Sequence, residues 1–281
     1  MFRDVTFGQY YPADSFVHKM DARVKLLLNL LFLIGIFFVT SFVGYGVLAL
    51  FLLIAILASK VPLGKILRSI KGIIFLVLFT VVLNIFFTKG EEPNLLIDWW
   101  IFQVYVEGLV YAGKMLCRLI FLVVGASLLT LTTTPVDLTH AIESLLRPLN
   151  VIHFPVHELA LIMSLALSFV PSLIEETDRI IRAQKARGAD FDTGGIIKRA
   201  KAFIPILIPL LVSSFRRADE LAFAMNARCY EGSTNRTQMR KGKLTIRDLI
   251  GAIVTLVVFA GIFTLYAMSS SWSIVVPWLY F

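Results

Sequence analysis

The sequence predicts an all-α integral membrane protein with about five transmembrane helices and several long amphipathic helices on the cytoplasmic side. Three observations predict this fold class. Hydrophobic residues make up 58% of the 281 positions and charged residues only 16%, against roughly 45–50% and roughly 25% in soluble domains. Long apolar runs recur along the chain. A basic segment with helical periodicity lies between the last two of them.

Five apolar runs are long enough, alone or with their flanks, to cross a hydrocarbon core about 30 Å thick. The second run is short, and a tight hairpin with the first would suit it. No secretory cleavage site follows the first run, so we expect this run to stay in the membrane. The predicted spans are residues 26–43, 46–58, 73–87, 109–131 and 249–268.

The uneven distribution of basic residues predicts the orientation. Residues 175–247 hold 15 of the 27 Lys and Arg against 8 Asp and Glu, so the positive-inside rule places this segment in the cytoplasm. The amino terminus and the basic loop 60–71 lie there too, whereas the acidic loop 89–107 and the aromatic tail 271–281 lie outside. A nucleic-acid surface is a poor explanation of the charge, because acidic residues interrupt it and no stacking aromatics accompany it.

After Pro135 the pattern changes from apolar runs to amphipathic helices. Residues 136–149 place apolar side chains at helical spacing with charges between them. A longer helix is predicted over residues 155–187. It would be about 50 Å long and could therefore leave the membrane, and Pro171 should kink it. Gly188 is expected to end it.

A further amphipathic helix is predicted after the turn "ADFDTGG" at residues 189–195. It carries an apolar stripe from Phe203 to Met225, opposite the polar residues Arg216, Arg217, Asp219 and Glu220, and ends at residues 227–229. Pro205 and Pro209 should make its first half irregular. A polar loop then leads to the last span.

These two long helices end alike at an offset of 41 residues. Ala186, Arg187 and Gly188 match Ala227, Arg228 and Cys229. Small neighbours let the backbone approach a partner closely, and a guanidinium can make forked bonds to carboxylates or carbonyls. A cation at a helix C-terminus is also favourable with the helix dipole by about 0.3–1 kcal/mol, which would explain one arginine alone. Two matched endings instead favour a receptor with two equivalent sockets.

With these two endings and the motifs quoted below, the chain resembles a known family, the transmembrane T component of energy-coupling factor (ECF) transporters, also called the EcfT or CbiQ-like family. The family commonly has Gly where this chain has Cys229. The resemblance covers nearly the whole chain in the correct order of motifs. These motifs are "GQYYPADSFVHKMDARVKLL" from Gly8, "LLTLTTTP" from Leu128, "KARGADFDTGG" from Lys185 and "RADELAFAMNARCYEG" from Arg217.

The resemblance implies a division of labour within an ATP-driven importer. Two ATP-binding-cassette ATPases would bind ATP and Mg, and this chain would bind no cofactor or metal and catalyse nothing. A membrane S component would hold the substrate, a vitamin or other micronutrient, in the plasma membrane of a prokaryote. The two coupling helices would dock on the ATPases through Ala186, Arg187, Gly188, Ala227, Arg228 and Cys229.

The apolar runs and the change of pattern after Pro135 divide the chain into three parts. Residues 1–134 would form a membrane domain with four spans, 135–243 the cytoplasmic or interfacial coupling-helix domain, and 244–281 the final span and outer tail. The amino terminus would then be cytoplasmic and the carboxyl terminus outside. The alternative function is a permease subunit of an ordinary ABC importer, which more often presents one coupling element per chain.

Other chemistry finds little support in the sequence. No GxxxxGK[ST] loop occurs. His153 and His157 have a spacing that could suit a metal, but Pro155 interrupts them, and an interfacial hydrogen-bonding role is the stronger interpretation. The two cysteines, Cys117 and Cys229, are expected to be structural.

Four polar residues interrupt the predicted spans, namely Asn29, Asn84, Lys114 and Arg118. Charged residues within spans usually face protein or water. Lys114 and Arg118 share a helix face and would pair with Glu107 or with a partner, or else reach toward the outer interface; the sequence leaves these alternatives open. A substrate pathway or a membrane-embedded enzyme would need a denser polar cluster.

Overall fold

The computed structural model describes residues 10–87, 95–99, 102–152, 154–189, 195–230, 232, 242 and 244–272. The fold confirms the predicted all-α membrane class. Short 3₁₀ turns follow α1 and α5. The α-helices of the described part are α1 Ala22–Gly35, α2 Phe42–Ser59, α3 Leu63–Phe87, α4 Val106–Thr132, α5 Pro135–Leu146, α6 Val156–Ala186, α7 Ile196–Ala227 and α8 Ile246–Trp272.

The predicted outer loop 89–107 contains a small β-hairpin, which the charge pattern did not indicate. Strand β1, Leu95–Trp99, pairs antiparallel with β2, Phe102–Tyr105. Trp99 lies opposite Phe102, and the register shifts between Leu95 and Ile97. Aromatic and branched residues favour such pairs, and α4 begins directly after β2.

The first predicted span, residues 26–43, is not one continuous helix. Helix α1 has 14 residues, or about 21 Å, and a 3₁₀ turn, Ile36–Phe38, follows it. Val39 is then extended, and Ser41 forms the N-cap of α2. Apolar residues on both sides conceal this break in the sequence, because only Thr40 and Ser41 are polar there.

Five described helices are long and apolar enough to cross a membrane, as predicted, but they are not the five predicted spans. Helix α1, with 14 residues, is too short to be counted among the five, whereas α6, which the sequence assigned to the cytoplasmic side, is long and apolar enough to be counted. Helix α3 begins ten residues before the predicted span 73–87 and includes most of the basic loop 60–71, because Lys and Arg are good helix formers. The five segments are Phe42–Ser59, Leu63–Phe86, Gly108–Thr132, Val156–Ala186 and Ile246–Thr264.

The described chain forms two compact units, and the first comprises Gly8–Ala141 together with Gly242–Phe281. Its core is apolar and lies between α1, α2, α4 and α8. Buried side chains include Phe32, Leu48, Val124 and Ile262 of these helices and Ile36 of the 3₁₀ turn after α1. Within a membrane such packing is stabilised by van der Waals contact, because lipid tails are as apolar as these side chains.

Polar contacts join the ends of several helices in this unit. The ammonium of buried Lys25 donates to the carbonyls of Thr132, at 3.1 Å, and His18, at 3.2 Å. The buried carboxylate of Asp248 accepts from the backbone amides of Asp21 and Thr245, both at 2.7 Å. The segment before α1 is thereby fixed to the end of α4 and the start of α8.

The second unit lies within Ile142–Lys241 and is dominated by α6 and α7. Helix α6 confirms the prediction for residues 155–187, with Pro155 as N-cap and Arg187 as C-cap. Helix α7 corrects the prediction of an irregular first half, because the α-helix continues through Pro205 and Pro209. Pro209 has no N–H to donate to the Pro205 carbonyl, and Gln184 Nε2 of α6 donates to that oxygen instead, at 3.5 Å.

Candidate functional site

Helix α6 ends in a Schellman motif centred on Gly188. The backbone of Gly188 is left-handed, with φ of 86°. Its amide donates to the carbonyl of Lys185, and the amide of Ala189 donates to the carbonyl of Gln184, both at 3.0 Å. These two hydrogen bonds satisfy two of the carbonyls that a helix end leaves free. Arg187 is the last residue before the reversal.

Helix α7 ends in the same motif, with Cys229 in place of glycine. Cys229 adopts φ of 54°, and its amide donates to the Asn226 carbonyl at 2.9 Å. The amide of Tyr230 donates to the Met225 carbonyl at 3.1 Å. A left-handed conformation costs a non-glycine residue roughly 1–2 kcal/mol, yet Cys229 preserves the glycine-type ending.

The two endings therefore match in backbone geometry as well as in sequence. Both Schellman hydrogen bonds of the α6 end, and the bond from the Arg187 amide to the Gln184 carbonyl, have counterparts 41 residues later, whereas the bond from the Arg187 amide to the Ala183 carbonyl has none. Exposure matches too: Gln184 and Met225 are half-buried, and the three residues that follow each of them are exposed. Both arginines are exposed, and within the described residues neither guanidinium has an ion pair or hydrogen bond. Each guanidinium is free to bind a partner.

Helices α6 and α7 run antiparallel. Arg217 donates to the hydroxyl of Ser172 and stacks on Phe169, with 5.8 Å from the guanidinium carbon to the ring centre. The second contact is the bond from Gln184 to the Pro205 carbonyl. These contacts are twelve residues apart on both helices, which indicates a constant register along this stretch.

This register places the two arginines at opposite ends of the helix pair. Continuing it sets Ile174 level with Phe215, and each arginine lies thirteen residues beyond that level. Neither thirteen-residue arm contains proline. Each arm is about 20 Å long, so the two arginines are at most about 40 Å apart along the pair. The two helices are thus related by an approximate two-fold axis near Ile174 and Phe215.

The contacts of Arg217 were not predicted. The sequence placed it with Arg216 on the solvent side of α7, whereas it is half-buried and Arg216 is exposed. Adjacent residues point about 100° apart on a helix, so periodicity alone could have separated them. Only the structure shows that the half-buried Arg217 contacts Ser172 and Phe169.

One face of α7 is apolar and open to its surroundings. Leu207, Leu211 and Phe215 are exposed by 59%, 59% and 64%. Their spacing of four residues places them along one side of the helix. A continuous apolar surface of this kind marks a contact with lipid or with another protein.

The remaining sequence candidates lie apart from the helix ends. His153 lies outside the described residues. His157 Nδ1 is 3.4 Å from Glu143 Oε1, and no three His, Cys, Asp or Glu side chains of the described part cluster as metal ligands. Asn84 donates to the Thr80 carbonyl of its own helix at 2.8 Å.

Replacing Cys229 tests the strain at the second ending. We expect Cys229→Gly to slow hydrogen exchange of the amides at positions 229 and 230 about fivefold or more, because glycine adopts positive φ at little cost. Cys229→Val should accelerate exchange, since branching at Cβ disfavours this conformation further. Gly188→Cys is the matched change at the first ending and should accelerate exchange there. Equal exchange in Cys229→Gly and the unmodified chain would show that Cys229 is unstrained.

Comparison with known proteins agrees with the structure. Residues 13–239 match the family model described as CbiQ, cobalt transport protein. The chain is 52% identical to the energy-coupling factor transporter transmembrane protein EcfT of Clostridium kluyveri over 92% of this chain and 95% of the relative. The EcfT proteins of Ruminiclostridium cellulolyticum and Brevibacillus brevis are each 49% identical over 92% of this chain and cover 95% and 96% of the relatives.

These matches span both units of the structure and include most of the chain. Five of the described helices are long and apolar enough to make a multi-pass membrane protein. The expected resemblance is confirmed. The chain belongs to the CbiQ/EcfT family, the transmembrane components of energy-coupling factor transporters.

Proposed function

We propose that this chain is the scaffold of an ECF importer and links ATP hydrolysis by two cytoplasmic ATPases to a substrate-binding S component. The observation that carries the proposal is the pair of matched, exposed arginine endings on α6 and α7. The family description names cobalt transport, and the relatives are named as components of energy-coupling factor transporters; the cargo that we propose is a micronutrient such as a vitamin or a metal ion.

The geometry of the endings favours two ATPase subunits over one. Two equivalent tips at most about 40 Å apart, related by an approximate two-fold axis, suit a dimer that offers the same socket twice. In each socket, acidic or carbonyl groups would accept forked hydrogen bonds from Arg187 or Arg228. The small residues Ala186, Gly188 and Ala227, with Cys229, would let the socket wall approach the helix end.

The open apolar face of α7 supports a second partner within the membrane. Leu207, Leu211 and Phe215 offer a surface without polar groups, which an apolar helix of an S component could cover. We place the substrate in that partner. In this arrangement ATP and Mg are bound by the ATPases, and motion of the sockets passes along the two arms.

The proposed orientation follows the positive-inside rule. The amino terminus and the two arginine endings face the cytoplasm, and the carboxyl terminus lies outside, in the plasma membrane of a prokaryote. A permease subunit of an ordinary ABC importer is the alternative function. It is favoured less because this chain offers two coupling elements where one is more usual.

Co-purification of the full-length chain tests the proposal. We expect tagged protein from its native membrane to recover two ATPase copies and a small substrate-binding membrane protein. A single tagged subunit that recovers a second large permease chain would support the alternative. Recovery without any ATPase would contradict the proposed function, and recovery of ATPases without a small membrane partner would contradict the role of the S component.

A further inference from the structure

Lys114 and Arg118 place two positive charges, one helical turn apart, on the half-buried surface of α4. Arg118 Nη2 donates to the Val39 carbonyl in the turn before α2, at 3.3 Å. The Arg118 guanidinium carbon lies 5.6 Å from the ring centre of Phe37. Lys114 Nζ lies 5.3 Å from the ring centre of Phe42. The proposed energy coupling uses neither cation.

Neither cation is neutralised within the described residues. The ion pairs of that part of the chain do not include Lys114 or Arg118. Arg118 Nε and the hydroxyl of neighbouring Tyr45 are both buried, and neither has a hydrogen-bond partner among the described residues by distance and angle. Glu107, a partner that the sequence suggested, has a side chain outside the described residues. Since unpaired buried charge is costly, these two groups have capacity for an anion.

The lengths of α2 and α4 indicate how deep in the membrane Lys114 and Arg118 lie. Helix α2 begins at Phe42, beside Lys114, and its 18 residues extend about 27 Å. The candidate span of α4, Gly108–Thr132, has 25 residues, or about 37 Å, which exceeds a hydrocarbon core about 30 Å thick. Lys114 lies about 9 Å from the first residue of that span and beside the start of α2, so this end of the site is nearer to one edge of the core than to its middle.

Aromatic side chains surround the cations at this edge. Phe37 and Tyr111 are exposed by 59% and 56%, and Lys114 Nζ is 5.8 Å from the ring centre of Tyr111. Aromatic side chains next to Lys and Arg are typical of membrane–water interfaces. Lipid phosphates lie at this level, and a guanidinium with an adjacent ammonium suits a phosphate oxygen cluster.

We propose that Lys114 and Arg118 bind the phosphate of an anionic phospholipid at the membrane edge where α2 begins. The headgroup would lie between α4 and the turn at residues 39–41, and would supply the charge that the described residues lack. This lipid would brace the short α1 against α4, because Arg118 bonds the backbone of the turn and the phosphate at once.

Native mass spectrometry of the full-length chain in detergent tests this site. Phosphatidylglycerol is titrated, and its apparent affinity is compared between unmodified protein and variants. We expect Lys114→Gln to weaken binding about fivefold, and Lys114→Gln with Arg118→Gln to weaken it about 25-fold, from the typical contribution of each cation near anionic lipid. Arg118→Lys keeps the charge but not the fork, and should weaken binding less than Arg118→Gln.

Three controls make the result decisive. Lys65 also lies over an aromatic ring, 4.2 Å from the centre of Tyr11, and Lys65→Gln should leave the affinity unchanged. Zwitterionic phosphatidylcholine should bind more weakly than phosphatidylglycerol, and excess inorganic phosphate should not displace the lipid. If the double variant does not fold, Lys114→Gln alone decides. Unchanged phosphatidylglycerol affinity in Lys114→Gln, an equal loss in Lys65→Gln, or displacement by inorganic phosphate would overturn the proposal.

Discussion

The double variant Arg187→Glu/Arg228→Glu is expected to abolish ATP-driven transport while leaving membrane insertion intact. Both side chains are exposed and contribute nothing to the described cores. Reversing one charge should weaken docking of that tip at least about 30-fold, because a desolvated charge pair that loses one partner costs about 2–5 kcal/mol. Each single variant should therefore reduce transport and ATPase coupling, and the double variant should lose both.

The native Cys229 gives a direct measurement of docking in the same experiment. Its thiol is exposed beside Arg228, so an ATPase subunit in place should slow its reaction with a maleimide. In Arg228→Glu this protection should disappear. The other cysteine, Cys117, lies within α4 and is only half-buried, so Cys117→Ala is introduced first to leave one reporter.

Arg182→Glu is the matched control for these charge reversals. Arg182 is exposed on the same arm, five residues before Arg187, and its reversal should leave transport close to normal. Arg236→Glu, at a position outside the described residues, should also do little. Full transport by the double variant would exclude the anchor role of both arginines.

Lengthening one arm is expected to uncouple transport as strongly as reversing a charge. Seven helix-forming residues inserted between Ile181 and Arg182 add nearly two turns, which moves the α6 ending by about 10 Å and turns it by only about 20°. Arg187 keeps its flanking residues and exposure, but Gln184 moves away from the Pro205 carbonyl, and the α6 ending no longer lies as far from the two-fold axis as Arg228. We expect a loss of at least about tenfold in coupled ATPase activity, measured in reconstituted complexes.

Two further insertions distinguish an effect of the distance between the two helix endings from general disruption of the protein by an insertion. Inserting the same seven residues in both arms makes the two arms equally long again but increases the separation of Arg187 and Arg228 to at most about 60 Å. This variant should not regain activity. The same insertion between Asn235 and Arg236, in the segment between α7 and α8, should be tolerated. Normal coupling with the lengthened α6 arm would show that the sockets do not fix the distance between the endings.

Local signals made the two endings predictable from sequence. A Schellman motif depends on six consecutive residues, and Gly188 with its flanking pattern is such a signal. The same pattern around Cys229 predicted an ending there although glycine is missing. The docking role of these residues stays a prediction.

Features that depend on distant contacts were not predictable in the same way. The break after Phe38 lies within a continuous apolar run, and the bond from Arg118 to the Val39 carbonyl that supports it joins residues 79 positions apart. The sequence likewise did not reveal that α7 continues through Pro205 and Pro209. The Pro205 carbonyl, which the missing N–H of Pro209 leaves free, accepts a hydrogen bond from Gln184 of α6. Composition also could not separate α6 from a span, since its first half is as apolar as one.

The bond from Gln184 to the Pro205 carbonyl gives the two alike endings different mechanical support. Gln184 belongs to the hydrogen-bonded turn that ends α6, and its side chain also donates a hydrogen bond to α7. Met225, its counterpart in α7, has no polar group for such a tether. A displacement of the α6 ending would therefore act on the proline-containing stretch of α7 through this bond. Alike in backbone geometry, the two endings thus differ in a side-chain bond that Gln184 makes and Met225 cannot.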